Sequence, residues 1–523
     1  MVIGDIVTCN ARLFPNKPGV VDGHNRLTWK EVNNRVNCLA NAMLGLGLKK
    51  GDRAALICEN GHQFAEFLFA VAKAGLIGVC LNSRLTTNKL AYIINDCQPS
   101  IILAQDKFVS LANQIAPEID QQHKLIVIGE GGNYESLLAS HQPDEPPVEV
   151  SEQDAYLIQY TTGTTGMPKG IELTHKNWMN NCMVRFWLTR LAEDDVYMVT
   201  AALYAAGNLG HFLAACFSGA TVAIPVFSGQ GFVETIEREK VTHSFLNPTT
   251  YRVVRDYIET SEREYDLSSL CKLAIGGGQP TSGEQVKEIL DYFHIPYTNS
   301  SKAYGMAELC SPASFLLPSD VAAGLRPDAT EKERRRLNSI GKTLGNTQVR
   351  VVDENDKDVP PGERGEILLK GDGVMKGYYH KPELNQKALR GGWYHTADMG
   401  MLDEDGYLYF TGRKDFLIKS GGFFVAPEEV ENAILQHPAV AEAAVIGVPD
   451  KKWGQVVKAI VHLKAGMTAT EEEIREHCRQ LMARFQVPKS VDFVEALPRE
   501  SAYGKTSREE LLRIYGGDSY QSS

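Results

Sequence analysis

Apolar positions along this chain follow two periods, one suited to amphipathic helices and one to buried strands. Leu27-Thr28-Trp29-Lys30-Glu31 opens a helical pattern that runs to Leu44, with Thr28 placed as N-cap and Glu31 as its partner three residues on. Residues 45–51 read as a turn and 53–57 as a short apolar strand. The longest apolar stretch, 64–81, contains Glu66 and Lys73, so it predicts a core helix followed by a strand and not a membrane span. Strand-like runs recur at 101–104, 125–128, 156–160 and 170–173. From 196 to 225 the order is strand, loop, helix, strand, with the helix beginning near Leu209. Strands alternating with helices predict a layered α/β architecture with mostly parallel sheets.

The remaining pattern is more varied. Residues 141–153, acidic and proline-rich, predict a surface connection. A strand over 273–275 ends in Gly276, Gly277 and Gly278. The charged run up to Arg336 has helical spacing and reads as a solvated helix face. Residues 393–398 and 412–415 bracket a β-hairpin around Glu404-Asp405-Gly406. A helix begins near Pro427, a residue suited to the first helical turn, and 440–495 alternate strand, strand and helix. There is no internal repeat.

Length and charge narrow the class. A chain of 523 residues is too long for one simple core, so two or more domains are expected. A formal net charge of −11 argues against nucleic acid or an anionic membrane as main partner and leaves basic residues to act locally on anionic ligands. Ten cysteines are scattered without Cys-x-x-Cys pairs or Cys/His clusters, which suits reduced thiols in a cytoplasmic enzyme. Gly4, Asp5 and Asn10 interrupt any signal-like pattern at the start.

The chemistry centres on residues 160–170, Tyr-Thr-Thr-Gly-Thr-Thr-Gly-Met-Pro-Lys-Gly. Gly163 and Gly166 let successive backbone N–H groups converge on an anion, Thr161, Thr162, Thr164 and Thr165 add hydroxyl donors, and Lys169 adds a point charge. That set suits a polyphosphate, whereas the Gly-Lys-Ser/Thr ending of a Walker loop is absent. A flexible surface loop is the plainer reading, but Pro168 closes the segment stiffly against a following strand.

The order of these residues resembles the signature loop of the adenylate-forming enzymes, which include acyl-CoA synthetases, peptide-synthetase adenylation domains and luciferases. The likeness extends from about residue 10 to 510 with its motifs in order. It implies a large multi-layered amino-terminal domain over 1–412, a hinge at 413–415 with Asp415 as pivot, and a small α+β carboxy-terminal domain over 416–523 that swings about it. It also implies ATP, Mg²⁺ and coenzyme A as ligands and a small-molecule carboxylic acid as substrate. The nucleotide would lie against Gly276, Gly277, Gly278, Ala303, Tyr304, Gly305, Met306 and Ala307, with the three glycines and Tyr304 on its adenine. Mg²⁺ would be held by Glu308 with Thr161; Asp398 would accept the ribose hydroxyls, and Arg413 would donate to ribose or phosphate.

Other positions follow from the same likeness. Tyr204, Ala205, Asn208 and His211 would border the acyl pocket, with Ala205 where the family usually has histidine; His211, borne on a helix beside apolar residues, reads first as packing. Ala307 stands where threonine is usual, and Ala397 where glycine is commoner. Gly421 and Gly422 would line a pantetheine tunnel, while Trp453 and Phe485 read either as coenzyme A contacts or as small-domain core. Lys505 would bridge the substrate carboxylate and the α-phosphate, making Lys505, Glu308 and Lys169 the catalytic set. The implied activity is an ATP-dependent acid–CoA ligase, with an aromatic, alicyclic or medium-chain acid as substrate and a homodimer as the default assembly. A ligase serving an acyl-carrier protein and a weakly adenylating acyl-adenylate-binding protein are the alternatives.

Overall fold

The Thr28 capping box forms as the pattern requires: the Thr28 hydroxyl accepts the Glu31 N–H at 3.2 Å, and the Glu31 carboxylate accepts the Thr28 N–H at 2.8 Å. The helix Trp29–Gly45 starts there and the strand Arg53–Ile57 follows. These elements come from a computed structural model that describes residues 1–523 except 24, 116–123, 162–166, 278–280, 345, 421–422, 500–505 and 517–523.

The apolar stretch 64–81 becomes the helix His62–Lys73 and the strand Ile77–Cys80. Its two charges are buried with partners, as burial demands. Arg35 and the Tyr134 hydroxyl each reach Glu66 at 2.5 Å, while Lys73 donates to Asn33 and Asn37 at 2.7 Å and to Glu145 at 2.8 Å. Glu145 belongs to the connection 141–153, which therefore straps the helix surface as well as linking elements. No helix among the described residues is long and apolar enough to cross a membrane.

Two large sheets form the layers. In the first, the strands Ser300–Met306, Lys272–Ile275, His243–Leu246, Val196–Met198, Thr221–Ala223 and Pro18–Asp22 lie side by side and parallel, with antiparallel strands at both edges. In the second, Ala155–Thr161, Ile77–Cys80, Arg53–Ile57, Ile101–Gln105 and Lys124–Ile128 run parallel, and Lys169–Thr174 and Gly377–Tyr378 complete one edge in antiparallel fashion. The expectation of mostly parallel sheets holds for these two. It fails for a third, four-stranded sheet of Thr347–Val352, Gly365–Gly371, Tyr394–Leu402 and Leu408–Arg413, which is antiparallel throughout.

Two local readings change. The helix expected near Leu209 spans Ala206–Phe217, with Ala205 extended at its N-cap position (φ −90°, ψ 128°). The charged helix Glu331–Arg336 does more than face solvent: Lys332 and Arg336 both meet Asp405 at 2.5 Å, and Arg336 and Arg335 lie over Tyr407 and Tyr409. It clamps the hairpin that carries Asp398 and Arg413.

Beyond Arg413 a single 3-10 turn, Lys414–Phe416, leads to Ile418–Ser420, which joins a separate sheet with Phe423–Val425, Gly454–Leu463, Val440–Asp450 and Ser490–Phe493. Pro427 opens the helix Pro427–Ile434 packed on it.

Candidate active site

Thr161 and Lys169 pair directly across the antiparallel strands Ala155–Thr161 and Lys169–Thr174, so the glycine–threonine segment leaves and re-enters one hairpin. Thr162, Gly163, Thr164, Thr165 and Gly166 lie outside the described residues. The hairpin base is tied down by Tyr160, whose hydroxyl donates to Asp96 at 2.6 Å. The Lys169 ammonium lies 6.0 Å from the centroid of the Tyr378 ring, and the Tyr378 hydroxyl donates to Glu308 Oε1 at 3.0 Å. Burial and then the Glu308 charge raise the Tyr378 phenol, so it remains a donor. Glu308 Oε2 has no hydrogen-bond partner among the described residues. An anionic oxygen held from one side suits a hard cation such as Mg²⁺.

The adenine-side residues sit at the carboxyl ends of parallel strands, where α/β sheets bind ligands. Gly277 has φ +100°, and a Cβ there would come within 3.2 Å of the Phe245 ring. At Gly276 a Cβ would approach nothing closer than the Ala303 carbonyl at 3.7 Å, leaving an open shelf between the two strands. Gly278 lies outside the described residues. Next to Ala303, the buried Lys302 donates to the carbonyls of Thr281 at 2.7 Å and Leu337 at 3.0 Å, and burial lowers its pKa to about 8. It fixes the far side of the glycine turn. Gly305 is exposed, while Met306 and Ala307 are half-buried against the main core.

Asp398 and Arg413 face each other in register across the hairpin, and Arg413 Nε donates to Asp398 Oδ1 at 2.8 Å. The Tyr304 hydroxyl donates to Asp398 Oδ2 at 2.6 Å. Both oxygens expected to receive ribose hydroxyls therefore already hold a partner, and a ribose bound there would share them with Arg413 and Tyr304 or displace one of the two. Burial and then the Asp398 charge push the Tyr304 phenol well up. For Arg413 burial acts downward, but Asp398 and Glu308 outweigh it and raise its pKa. The rings of Tyr304 and Phe410 lie tilted against each other with their centroids 6.1 Å apart.

Ala397, just before Asp398, has φ +58°, which explains why glycine is the easier residue there. Ala397→Gly relieves a left-handed alanine and loses part of the gain to chain entropy. It is expected to stabilise the protein by about 0.5–1 kcal/mol, read as a rise in denaturation midpoint.

On the acyl side, Asn60 anchors the loop before the helix by accepting from Leu203 N and donating to the Ala201 carbonyl, both at 2.9 Å. Tyr204 is half-buried, and Asn208 donates to the Ala202 carbonyl at 3.4 Å. His211 is buried between the rings of Tyr197 and Phe245. The helix crosses the neighbouring helix His175–Thr189 at Gly210, where a Cβ would lie 2.8 Å from Asn181 Nδ2 and 2.9 Å from Arg185 Nε.

In the small domain, Trp453 and Phe485 are 42% and 39% exposed, which decides against core packing for both. Phe485 stacks on Phe423 at 4.6 Å, and Lys452 lies over Trp453. Asp415 falls within the turn Lys414–Phe416; Gly421, Gly422 and Lys505 lie outside the described residues. Sequence reasoning missed Tyr378, Lys302 and Arg185. Of these, only Gly377-Tyr378-Tyr379, a glycine followed by two aromatic residues, carried a readable signal.

A feruloyl-CoA synthase of Amycolatopsis sp is 34% identical over 508 residues, 97% of each chain. A 2-succinylbenzoate–CoA ligase of Geobacillus sp. (strain WCH70) is 32% identical over 511 residues, 96% of each. The crystal structure of an anthranilate CoA ligase in complex with anthranoyl-AMP matches with a TM-score of 0.87 at 26% identity, covering 98% of this chain and 97% of that one. The chain belongs to the adenylate-forming AMP-binding enzymes: the AMP-binding enzyme family model matches residues 7–379, and that of the AMP-binding enzyme C-terminal domain residues 429–505. Within that family it is an ATP-dependent, AMP-forming acid–CoA ligase.

Proposed function

We propose that this ligase activates an aromatic carboxylic acid, and that the two clusters Lys169–Tyr378–Glu308 and Tyr304–Asp398–Arg413 hold the triphosphate and ribose of its ATP. The observation that carries the reading is their meeting at one strand end: Tyr304 lies in the strand Ser300–Met306 and Glu308 in the 3-10 turn Ala307–Leu309 that follows it, so the Tyr378–Glu308 and Tyr304–Asp398–Arg413 contacts adjoin. Small residues at Ala205, Ala206, Gly276 and Gly277 leave room for a flat acid. The relatives named above act on ferulate, 2-succinylbenzoate and anthranilate, all aromatic.

The substrate carboxylate is ionised at neutral pH and needs no general base. Its attack on the α-phosphorus forms the acyl-adenylate and expels pyrophosphate, spreading negative charge over phosphate oxygens. The protein therefore contributes positioning and electrostatics. Lys169 and the threonine-rich segment from Thr161 hold the β- and γ-phosphates, and Lys505 bridges carboxylate and α-phosphate. Glu308 with Thr161 would hold Mg²⁺, which when bound would neutralise phosphate charge. Asp398 and Arg413 orient the ribose. Coenzyme A thiol then attacks the acyl carbon of the adenylate, forming the thioester as the acyl–phosphate bond breaks and AMP leaves, after the domain over 416–523 turns about 413–415, presenting Gly421 and Gly422, with Trp453 and Phe485 as an exposed aromatic surface for the coenzyme.

Ala307 lacks the hydroxyl that threonine would direct at the α-phosphate. One such hydrogen bond is worth about 0.5–1.5 kcal/mol, so Ala307→Thr is expected to speed pyrophosphate release about 2- to 10-fold. The reading as a whole is tested with a panel of aromatic, alicyclic, medium-chain and short acids, following acyl-CoA formation with no carrier protein present. Turnover of aromatic acids supports it; activation of acetate alone overturns it.

A further inference from the structure

His211 presents a buried donor that the mechanism above does not use. Arg185 Nη1 lies 2.7 Å from His211 Nε2. A guanidinium has no lone pair to offer, so Nε2 must accept and the hydrogen of the neutral ring sits on Nδ1. Burial, Arg185 and His243 all lower the His211 pKa, consistent with that neutral form. Nδ1 is buried and has no hydrogen-bond partner among the described residues. The carbonyl one helical turn earlier, Gly207 O, faces Arg185 Nη2 at 3.4 Å. Buried donors in folded proteins are normally satisfied, so this one calls for an acceptor.

The place of the ring says what supplies it. His211 stands 5.2 Å from Phe245, the ring beneath Gly277, and one turn along the helix from Gly207, where an added Cβ would meet nothing within 4 Å. It thus borders the space between the helix start and the Gly276–Gly277 turn. Gly210 presses the helix onto Asn181 and Arg185, which holds the Arg185–His211 contact in position.

We propose that His211, oriented by Arg185, is a specificity-determining residue whose Nδ1–H donates to an oxygen carried by the acid at the end remote from its carboxylate. This deepens the reading of an aromatic substrate and rests on it. The preferred acids are aromatic acids bearing a distal acceptor oxygen, either a neutral hydroxyl, ether or ketone or a second carboxylate, the latter drawing also on the Arg185 charge.

The test uses the full-length protein and equilibrium binding of acyl-sulfamoyladenosines, stable mimics of the adenylate, so that it does not depend on turnover. Cinnamoyl, 4-hydroxycinnamoyl, 4-hydroxy-3-methoxycinnamoyl and 2-succinylbenzoyl forms serve as ligands. The wild type is expected to bind at least one oxygenated form 10-fold or more tightly than the cinnamoyl form. In His211→Phe that ratio falls toward 1, and in His211→Gln, which retains an amide donor, part of it returns. Arg185→Met abolishes a preference for the second carboxylate more completely than one for a hydroxyl, which separates the two sources. Melting temperatures verify that the variants fold. A wild-type ratio near 1 for every oxygenated form, or a ratio that survives His211→Phe, overturns the proposal. Failure of all four compounds to bind, cinnamoyl included, overturns the pocket assignment beneath it and this proposal together.

Discussion

Asp398→Ala is expected to lower kcat/KM for ATP about 100-fold and to cost about 2–3 kcal/mol of stability. Asp398 is buried and accepts from both Arg413 and Tyr304, so removing it strands two donors at once. Truncating one partner of a buried charged pair costs about 2–5 kcal/mol, and the low end applies because 37% of the Arg413 side chain reaches solvent. The ATP dependence of pyrophosphate release and a denaturation curve measure the two parts separately. Asp398→Asn keeps the shape and one acceptor, so its loss should be smaller in both. A kcat/KM unchanged within about twofold in Asp398→Ala would remove Asp398 from nucleotide binding.

The second large effect separates the half-reactions. Lys505→Ala is expected to slow acyl-adenylate formation about 10²–10³-fold, the scale of losing one preorganised charge at the developing phosphate anion. Thioester formation from supplied acyl-adenylate should slow far less, because in the proposed mechanism the domain rotation withdraws this lysine before the thiol attacks. The described residues that flank the segment are consistent with a docking role. Arg499 and Thr506 pair with each other, and Arg499 reaches both Thr249 of the large domain, at 3.4 Å, and Glu442, at 2.6 Å. Arg252 of the large domain meets Glu442 at 2.6 Å as well, so the small domain is held across the boundary by one carboxylate between two arginines. Equal losses in both half-reactions would contradict the division of labour assigned to Lys505.

Features written in local chemistry were legible. Thr28 with Glu31, and Pro427, marked helix starts because capping depends on a few adjacent residues. The hairpin that aligns Asp398 with Arg413 followed from a turn signal between apolar strands. The likeness of Ala397 to a glycine position became intelligible only with its φ of +58°. What remained hidden depends on contacts distant in sequence. Tyr378 reaches Glu308 across 70 residues, and Arg185 meets His211 across 26 through the close helix crossing at Gly210. A solitary arginine in a helix looks solvent-facing until its neighbour is known to approach. The helix Glu331–Arg336 was misread for the same reason, since its partner Asp405 lies on a hairpin formed much later in the chain.

The central claim is that one site makes an acyl-adenylate and then passes it to coenzyme A. A rapid-quench experiment with ATP, Mg²⁺ and an accepted aromatic acid, but no coenzyme A, tests it most directly. The account predicts a burst of pyrophosphate approaching one equivalent per chain, with acyl-adenylate retained on the protein and converted to acyl-CoA and AMP when coenzyme A is added. Pyrophosphate that appears only together with coenzyme A, or ATP consumed to ADP and phosphate, would contradict it.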